Sequence, residues 1–239
     1  MNKQPHIVTR SADRFSTRLD WLESYHSFSF GEHYDPNRMG FGPLRVVNDD
    51  IIAPGGGFAP HPHRNMEIVT ILLEGQLQHK DSLGNGRVIE SGEIQYMSAG
   101  SGVVHSEYNP SKTKPTHLLQ IWIEPSQKGL PPDYEDRRLL SQVRDSWRLV
   151  LSDDGRDHSM KIRQEVELRS AVLQPGSQLD LQVSAKLPAQ WIFVISGSVQ
   201  VGGETLHLGD SLGTVPNADL HFKAGGEGEA EVLVFSLPR

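Results

Sequence analysis

The chain has 239 residues, a formal net charge of -7 at pH 7 and no cysteine. This length is sufficient to bury one large hydrophobic core or two smaller ones. The lack of cysteine excludes disulfides, zinc fingers and thiol catalysis, and it suits a reducing compartment. The acidic balance argues against direct nucleic-acid binding.

The sequence also gives an expectation for cellular location. No stretch is apolar enough to cross a bilayer, and the N-terminal segment MNKQPHIVTRS lacks the apolar core of a signal peptide. We therefore expect a cytoplasmic protein with no membrane partner.

The first 50 residues predict short extended segments separated by turns. A strand is expected over residues 7–10 and a buried strand over residues 44–47. The string HSFSF, residues 26–30, alternates as an extended segment with an aromatic face does. His26 and His33 have no partner at ligand spacing, so hydrogen-bonded structural roles are expected for both.

Residues 50–124 consist of short apolar runs punctuated by glycine. The runs are rich in Ile, Val, Leu, Tyr and Trp, the residue types that favour strands. Many short strands with frequent glycine turns indicate a sandwich or barrel, not an alternation of strands and helices. The expected strands are residues 68–73, 87–89, 94–97 and 118–123.

Two pairs of metal-type ligands lie within this region. His61 and His63 form one pair, and His105 and Glu107 form the other. Because side chains at i and i+2 of a strand point to the same face, each pair can direct both groups at one point. Three imidazoles and a carboxylate suit one iron, manganese, cobalt, nickel or zinc ion and leave coordination positions open for catalysis. The alternative is a set of surface or hydrogen-bonded histidines.

Residues 126–148 are rich in proline and charged residues and lack the alternation of apolar and polar residues typical of strands. We expect a linker there, with one short helix over residues 132–143. A second set of β-type runs follows at residues 170–173, 179–183, 191–195, 198–201 and 231–236.

The second half of the chain repeats the strand and glycine layout of the first half but lacks its paired metal-type ligands. Gly75 and Gly92 have counterparts in Gly197 and Gly209, which indicates a weak internal duplication. His221 stands alone and is expected to be structural. The prediction is an all-β protein of two barrels in tandem: a metal-binding barrel over residues 1–125 and a metal-free barrel over residues 149–239.

The motifs resemble two known patterns. The residues Gly55, His61, His63, Gly75, Gly92, Gly100, His105 and Asn109 resemble the two cupin motifs. The strings HSFSF, YDPNRMGFGPLRVVNDD, HPHRNMEIVTILLEG, MSAGSGVVHSEYNP and LLQIWIEP are similar to the pirin family. The resemblance covers most of residues 20–125 and is looser in the C-terminal half, where it extends only to the layout of a second barrel.

The pirin resemblance implies two cupin barrels of the double-stranded β-helix, or jelly-roll, type. It assigns one divalent transition metal to the N-terminal barrel, with His61, His63, His105 and Glu107 as ligands. Iron is the expected ion, and manganese, cobalt, nickel, copper and zinc are the alternatives.

The sequence departs from the general cupin motif at two points. Ser98 replaces the usual proline, and two extra residues separate Gly100 from His105. Glu67 sits near the position of the usual cupin glutamate, whereas the pirin pattern takes its carboxylate from Glu107. We expect Glu67 either to orient a metal ligand or to make an ordinary strand hydrogen bond or ion pair.

The function that the resemblance implies is a flavonol dioxygenase. Such an enzyme opens the central ring of quercetin with O2 and releases carbon monoxide, and Glu107 is the expected catalytic base. One alternative is a metal- or redox-sensing regulatory protein that acts through a protein partner. Another is an isomerase or hydrolase on the same fold, which would turn over without oxygen.

Overall fold

The structure is a computed structural model that describes residues 6–139 and 143–239. It is built almost entirely from strands and turns, which confirms the all-β prediction. The helical segments among the described residues are two 3-10 turns, Ser11–Asp13 and Arg156–His158. No helix within those ranges has the length and apolar character needed to cross a membrane.

The described residues form strands β1 to β22 in chain order. The first twelve are β1 (His6–Thr9), β2 (Phe15–Leu19), β3 (Leu22–His26), β4 (Leu44–Ile52), β5 (Gly57–His63), β6 (Glu67–Glu74), β7 (Gln76–Asp81), β8 (Gly86–Glu90), β9 (Glu93–Ser98), β10 (Val103–Tyr108), β11 (Thr116–Ile123) and β12 (Asp133–Arg138). The remainder are β13 (Arg148–Ser152), β14 (Met160–Lys161), β15 (Glu167–Leu173), β16 (Gln178–Leu181), β17 (Ala189–Ser196), β18 (Ser198–Val201), β19 (Glu204–His207), β20 (Ser211–Thr214), β21 (Leu220–Gly225) and β22 (Ala230–Leu237).

The first compact unit is Phe15–Leu139. Its larger sheet has the strand order β12-β9-β6-β11-β4-β3-β2, and its smaller sheet has the order β5-β10-β7-β8. Every residue of β9 is buried, whereas β10 alternates between buried and more exposed residues. This alternation turns one face of β10 toward the interior between the two sheets.

The second compact unit combines residues 6–14 with residues 143–239. Its larger sheet has the order β1-β20-β17-β22-β15-β13-β14, and its smaller sheet has the order β16-β21-β18-β19. Both units therefore pair a seven-stranded sheet with a four-stranded one, in agreement with the predicted two barrels in tandem. This shared layout agrees with the duplication inferred from the glycine spacing.

The prediction of a helix over residues 132–143 is wrong for the part of this segment that the structure describes. Residues Asp133–Arg138 form β12, which pairs antiparallel with β9 along six residues. Residues 140–142 lie outside the described part of the chain. The chain extends here because β9 offers an open edge, and because DYEDRR lacks the three-to-four-residue apolar period of a helix. Tyr134 packs against the apolar cluster around Met97.

The unit boundaries also differ from the expected division. Strand β12 places residues 133–138, expected as linker, in the first unit, and β1 pairs with β20 in the second. In each larger sheet the added strand covers the same edge, beside β9 in one unit and β20 in the other. Covering an edge satisfies backbone groups that would otherwise be open to pairing with another chain.

The interior of the second barrel is filled with apolar side chains. Strands β18 and β21 stand in its smaller sheet where β7 and β10 stand in the first. They contribute Val199, Val201, Phe222 and Ala224 to one large apolar cluster. His221 points outward and pairs with Asp180, with 2.7 Å between Nδ1 and Oδ1. The polar residues that β7 and β10 carry have no parallel in this cluster.

We expect Phe222→Ala to destabilise the second barrel without changing metal content. Phe222 is 1% exposed, and removing a buried phenylalanine side chain costs about 3–5 kcal/mol. Denaturant unfolding and metal analysis of the same sample measure both quantities. His221→Ala, on the exposed face of the same strand, is the control and should change neither. Loss of metal in a folded Phe222→Ala protein would show that the second barrel takes part in metal binding.

Candidate metal centre

Two neighbouring strands of the smaller sheet carry the four expected ligands. His61 and His63 lie on β5, and His105 and Glu107 lie on β10. In the antiparallel register His105 lies opposite His61, and Val103 lies opposite His63. The pairing of β5 with β10 therefore puts the two pairs on adjoining strands.

The local sequence of β5 explains how it can hold two prolines. Strand β5 is the edge of its sheet, so the missing amide hydrogens of Pro60 and Pro62 can be tolerated there. The register shifts between His105 and Glu107, so that Glu107 lies opposite Phe58. This irregularity separates Glu107 from the two histidines of β5 along the strand direction.

Three imidazoles converge at one end of these strands. The ring centroids are 4.8 Å apart for His61 and His63, 4.5 Å for His61 and His105, and 4.8 Å for His63 and His105. One ring nitrogen from each residue lies within 4.8 Å of the others. Separations of this size allow three nitrogens to face a common ion.

The hydrogen bonds of the histidines leave nitrogens free to bind a metal. His61 Nδ1 lies 2.8 Å from the carbonyl oxygen of Ala59, and an N–H donated there fixes the tautomer with an unprotonated Nε2. Both ring nitrogens of His105 are buried, and no described group forms a hydrogen bond with either. A buried polar atom without a partner is costly, so His105 is better satisfied by an ion.

The surroundings keep two of these imidazoles neutral, which is the form that binds metal. Burial lowers the pKa of His105 to about 2, with further lowering by His63 and His61. Burial, aided by His61, lowers the pKa of His63 to about 4. Neither ring therefore has to lose a proton before it can bind an ion at neutral pH.

Glu107 is buried and held from the opposite sheet. Thr70 Oγ1 donates to its Oε1 at 3.3 Å, and Gln120 Nε2 donates to its Oε2 at 2.9 Å. Each carboxylate oxygen keeps a lone pair for a further contact. Burial raises the pKa of Glu107 to about 7, although the hydrogen bonds from Thr70 and Gln120 act to lower it. The group can therefore both release and accept a proton near neutral pH.

His79 belongs to a second group that the sequence analysis missed. One donor atom each from His79, His105 and Glu107 lies within 4.8 Å of the others. His79 lies opposite Glu107 in the β7–β10 register, and its Nε2 is 3.1 Å from Asp81 Oδ2. The signal for it was present, since His79 and Asp81 have the same i, i+2 spacing as the expected ligand pairs.

These residues fit a divalent transition metal. Imidazole nitrogens and carboxylate oxygens are donors that such ions accept. In this structure Glu107 groups with His105 and His79, and not with His61 and His63. The unpartnered nitrogens of His105 are the observation that favours an ion over a purely hydrogen-bonded cluster. His105 is common to both groups of donors, so it is the centre of the site in either arrangement.

A cavity of about 620 Å³ opens onto these residues. A cavity of this size suits a drug-sized organic ligand. One part of its wall is aromatic, with Phe30, Phe58 and Trp122, and Trp122 also meets His63 edge-on with centroids 4.9 Å apart. Flat aromatic ligands match such a wall.

The far side of the cavity carries a hydrogen-bonded polar network. Ser24 Oγ donates to Asp50 Oδ1 and lies 3.3 Å from His26 Nδ1. Thr17 Oγ1 lies 2.9 Å from His26 Nε2 and 3.2 Å from His33 Nε2. His26 and His33 are therefore hydrogen-bonded, as the sequence analysis expected, and both also line the cavity.

Glu67 is occupied by strand neighbours. Its carboxylate accepts hydrogen bonds from Tyr96 and from Ser98 Oγ, the latter at 2.8 Å. Ser98 lies directly opposite Glu67 in the β6–β9 register. Of the two roles considered for Glu67, these contacts favour the ordinary strand hydrogen bonds.

We expect Asp50→Asn to stabilise the protein at alkaline pH. Burial raises the pKa of Asp50 from 3.8 to about 7. A raised carboxyl pKa means that stability present at low pH is lost as pH rises through the window between these values. The stability advantage of the variant over the wild type should therefore grow by about 2 kcal/mol from pH 5.5 to pH 8.5.

Denaturant unfolding at the two pH values measures this difference. Asn keeps an oxygen that can accept from Ser24, so the substitution removes the charge and little else. Asp20→Asn, at an exposed turn, is the control and should show no such trend. An advantage that stays constant with pH would mean that Asp50 does not titrate in this window.

Two family models and several curated proteins are similar to this chain. The family model described as Pirin matches residues 8–123, and the model described as Quercetinase C-terminal cupin domain matches residues 149–237. A protein of Escherichia coli (strain K12) named quercetin 2,3-dioxygenase is 45% identical over 231 residues, covering 97% of this chain and 98% of the relative.

Solved structures of bacterial proteins also have a fold similar to that of this chain. The bacterial pirin YhhW from Escherichia coli, crystallised in complex with nickel(II), superposes with a TM-score of 0.92 at 43% identity, covering 98% of this chain and 99% of that chain. A quercetin 2,3-dioxygenase from Acinetobacter baumannii shares the fold at 22% identity, with a TM-score of 0.77 and coverage of 98% and 87%. The chain described here belongs to the pirin family.

Proposed function

We propose that this protein is a metal-dependent dioxygenase that opens the central ring of a flavonol such as quercetin with O2 and releases carbon monoxide. The observation that carries the proposal is the position of three converging imidazoles and a buried carboxyl at the wall of a cavity with aromatic sides. The names of the relatives support the same reaction class.

The residues proposed to hold the metal are His61, His63, His105 and Glu107. When bound, a divalent metal supplies a Lewis acid that favours the deprotonated form of the flavonol 3-hydroxyl. Nickel is a reasonable first ion to test because the relative YhhW was crystallised with nickel(II). Iron, manganese, cobalt, copper and zinc stay as alternatives, since similar donor sets accept several of these ions.

Glu107 is proposed as the base that accepts the proton of the substrate 3-hydroxyl. Glu107 lines the cavity, and a carboxylate held at the cavity wall can accept the proton of a bound hydroxyl. Thr70 and Gln120 hold this carboxyl in place from the opposite sheet. Their hydrogen bonds limit its movement, so the proton acceptor is already positioned when the substrate enters.

The aromatic wall is proposed to orient the flavonol and to exclude water. Phe58 packs edge-on against Trp21, with centroids 5.0 Å apart, and Phe30 packs edge-on against Trp122, with centroids 5.4 Å apart. Side chains fixed by such packing form a rigid surface on which flat rings can lie. Burial against this surface favours planar polyphenols over small aliphatic acids.

The experiment that tests the proposal compares quercetin consumption with and without O2. The purified protein is loaded separately with each candidate metal, and absorbance follows the loss of the flavonol. We expect consumption that needs both metal and O2. Consumption that proceeds equally without O2 would contradict a dioxygenase and would favour an isomerase or hydrolase.

A further inference from the structure

One row of side chains crosses the larger sheet of the first unit, and its middle part lines the cavity. The strand registers place Thr70, Gln120, Asn48, His26 and Phe15 side by side on five neighbouring strands, β6, β11, β4, β3 and β2. Neighbouring strands lie about 4.8 Å apart, so the row leads away from Glu107 in steps of that size. Gln120, Asn48 and His26 all line the cavity.

The two neighbours of Asn48 in this row have hydrogen-bond partners within the protein. Gln120 Nε2 donates to Glu107, and Gln120 Oε1 lies 3.1 Å from Thr70 Oγ1. His26 lies within hydrogen-bond distance of Thr17 and Ser24. These contacts fix the walls on either side of Asn48 and leave its amide between two rigid groups.

Asn48 itself is buried, yet one of its polar atoms is unsatisfied. The residue is 3% exposed, and no described group donates a hydrogen bond to its Oδ1. Leaving a buried carbonyl oxygen without a donor costs about 1–3 kcal/mol. Because Asn48 lines the cavity, a molecule in the cavity can supply the missing donor.

The chemistry of the surrounding wall indicates which donor this is. Asp50, two residues along β4, also lines the cavity and is itself a hydrogen-bond acceptor. Arg18 is the one Lys or Arg among the described lining residues, and it is exposed. A wall rich in acceptors and poor in cations suits a neutral O–H donor and not a carboxylate or a phosphate.

We propose that Asn48 Oδ1 accepts a hydrogen bond from a phenolic hydroxyl on the outer ring of the substrate, and that it makes the cavity selective for flavonols hydroxylated on that ring. This inference rests on the proposed function. With the 3-hydroxyl at Glu107, the rest of the flavonol extends along the row toward Asn48. Asn48 acts as a specificity residue, because it lies away from the bonds that break.

The test compares binding of two flavonols by nickel-loaded protein under anaerobic conditions. Quercetin carries two hydroxyls on its outer ring, whereas galangin carries none. We expect the wild type to bind quercetin about tenfold more tightly than galangin, the effect of one buried hydrogen bond. In Asn48→Leu, which has similar size and no acceptor, this ratio should fall to about one through weaker quercetin binding.

Two further variants separate recognition from structural damage. Asn48→Thr keeps an acceptor oxygen on a good strand former and should retain part of the preference, which also covers the case in which Asn48→Leu does not fold. Leu22→Val, elsewhere on the cavity wall, should weaken both flavonols equally.

An equal loss for both flavonols in Asn48→Leu, or a wild type without preference, would overturn the inference. If the wild type shows an Asn48-dependent preference but no turnover in air, the proposed function fails and the inference about binding stands.

Discussion

The variant Glu107→Gln should retain metal and lose flavonol turnover. Three imidazoles remain to hold the ion, whereas glutamine cannot accept the proton of the 3-hydroxyl. Loss of a positioned general base lowers rates by about 10²- to 10⁴-fold, and we expect a fall in kcat within that range. Turnover is compared with the wild type at equal metal occupancy, so that weaker binding of the ion does not contribute to the difference.

The control for this prediction is Glu74→Gln. Glu74 lies at the exposed end of β6, outside the cavity, and its substitution should leave turnover unchanged. If metal-loaded Glu107→Gln turns over quercetin at the wild-type rate, Glu107 has no part in the proton transfer. The ring opening would then need another acceptor, and Asp50 is the other buried carboxyl on the cavity wall.

The variant His63→Ala should lose most of its affinity for metal. It removes one of three converging nitrogens, and even the loss of a residue that only supports a ligand lowers metal affinity by about 10- to 100-fold. We therefore expect a loss of at least about 100-fold for the direct ligand. Competition with a coloured chelator measures the change for nickel, and elemental analysis gives the number of ions per chain.

His79→Gln distinguishes the two groups of donors around His105. His79 belongs to the group with Glu107 and not to the group of three imidazoles. Metal bound by His61, His63 and His105 should survive this substitution with a loss of less than about tenfold. Strong metal loss in His79→Gln with full retention in His63→Ala would move the site to β7 and overturn the four-ligand proposal.

Much of the fold could be predicted because its signals are local. Content of Ile, Val, Leu, Tyr and Trp marks β6, β9 and β11, and the i, i+2 spacing of ligand types marks β5 and β10. The convergence of His61, His63 and His105 required only that two such strands pair. Glycines with positive φ, such as Gly75 and Gly197, end corresponding strands in both barrels and so reveal the shared layout.

The wrong helix and the different boundary have a common cause. The pairing of a strand with the edge of a sheet depends on residues that are far apart in the chain. Strand β12 has a weak intrinsic preference, and it becomes extended because β9 lacks a neighbour on that side. The same applies to β1, whose partner β20 lies far along the chain. Composition cannot report such pairings, so the expected helix and the expected boundary at residue 125 both differ from the structure.

The cavity wall could not be assigned from sequence for a related reason. Asn48, Asp50, Ser24 and His26 come from two strands, and they face one cavity only after β3 pairs with β4. Asn48 lies in a string, VVNDD, in which nothing separates a buried acceptor from an ordinary surface residue. His79 could not be placed from spacing alone, because it lies opposite Glu107 only after β7 pairs with β10.

The most direct test of the proposed reaction is the amount of carbon monoxide released per quercetin consumed. The measurement uses nickel-loaded wild-type protein in air, with the gas trapped by reduced haemoglobin and the flavonol followed by absorbance. We predict one carbon monoxide for each quercetin and none without metal. Metal bound at one ion per chain with no carbon monoxide released, for nickel and for each alternative ion, would contradict the dioxygenase and favour a regulatory, metal-sensing protein.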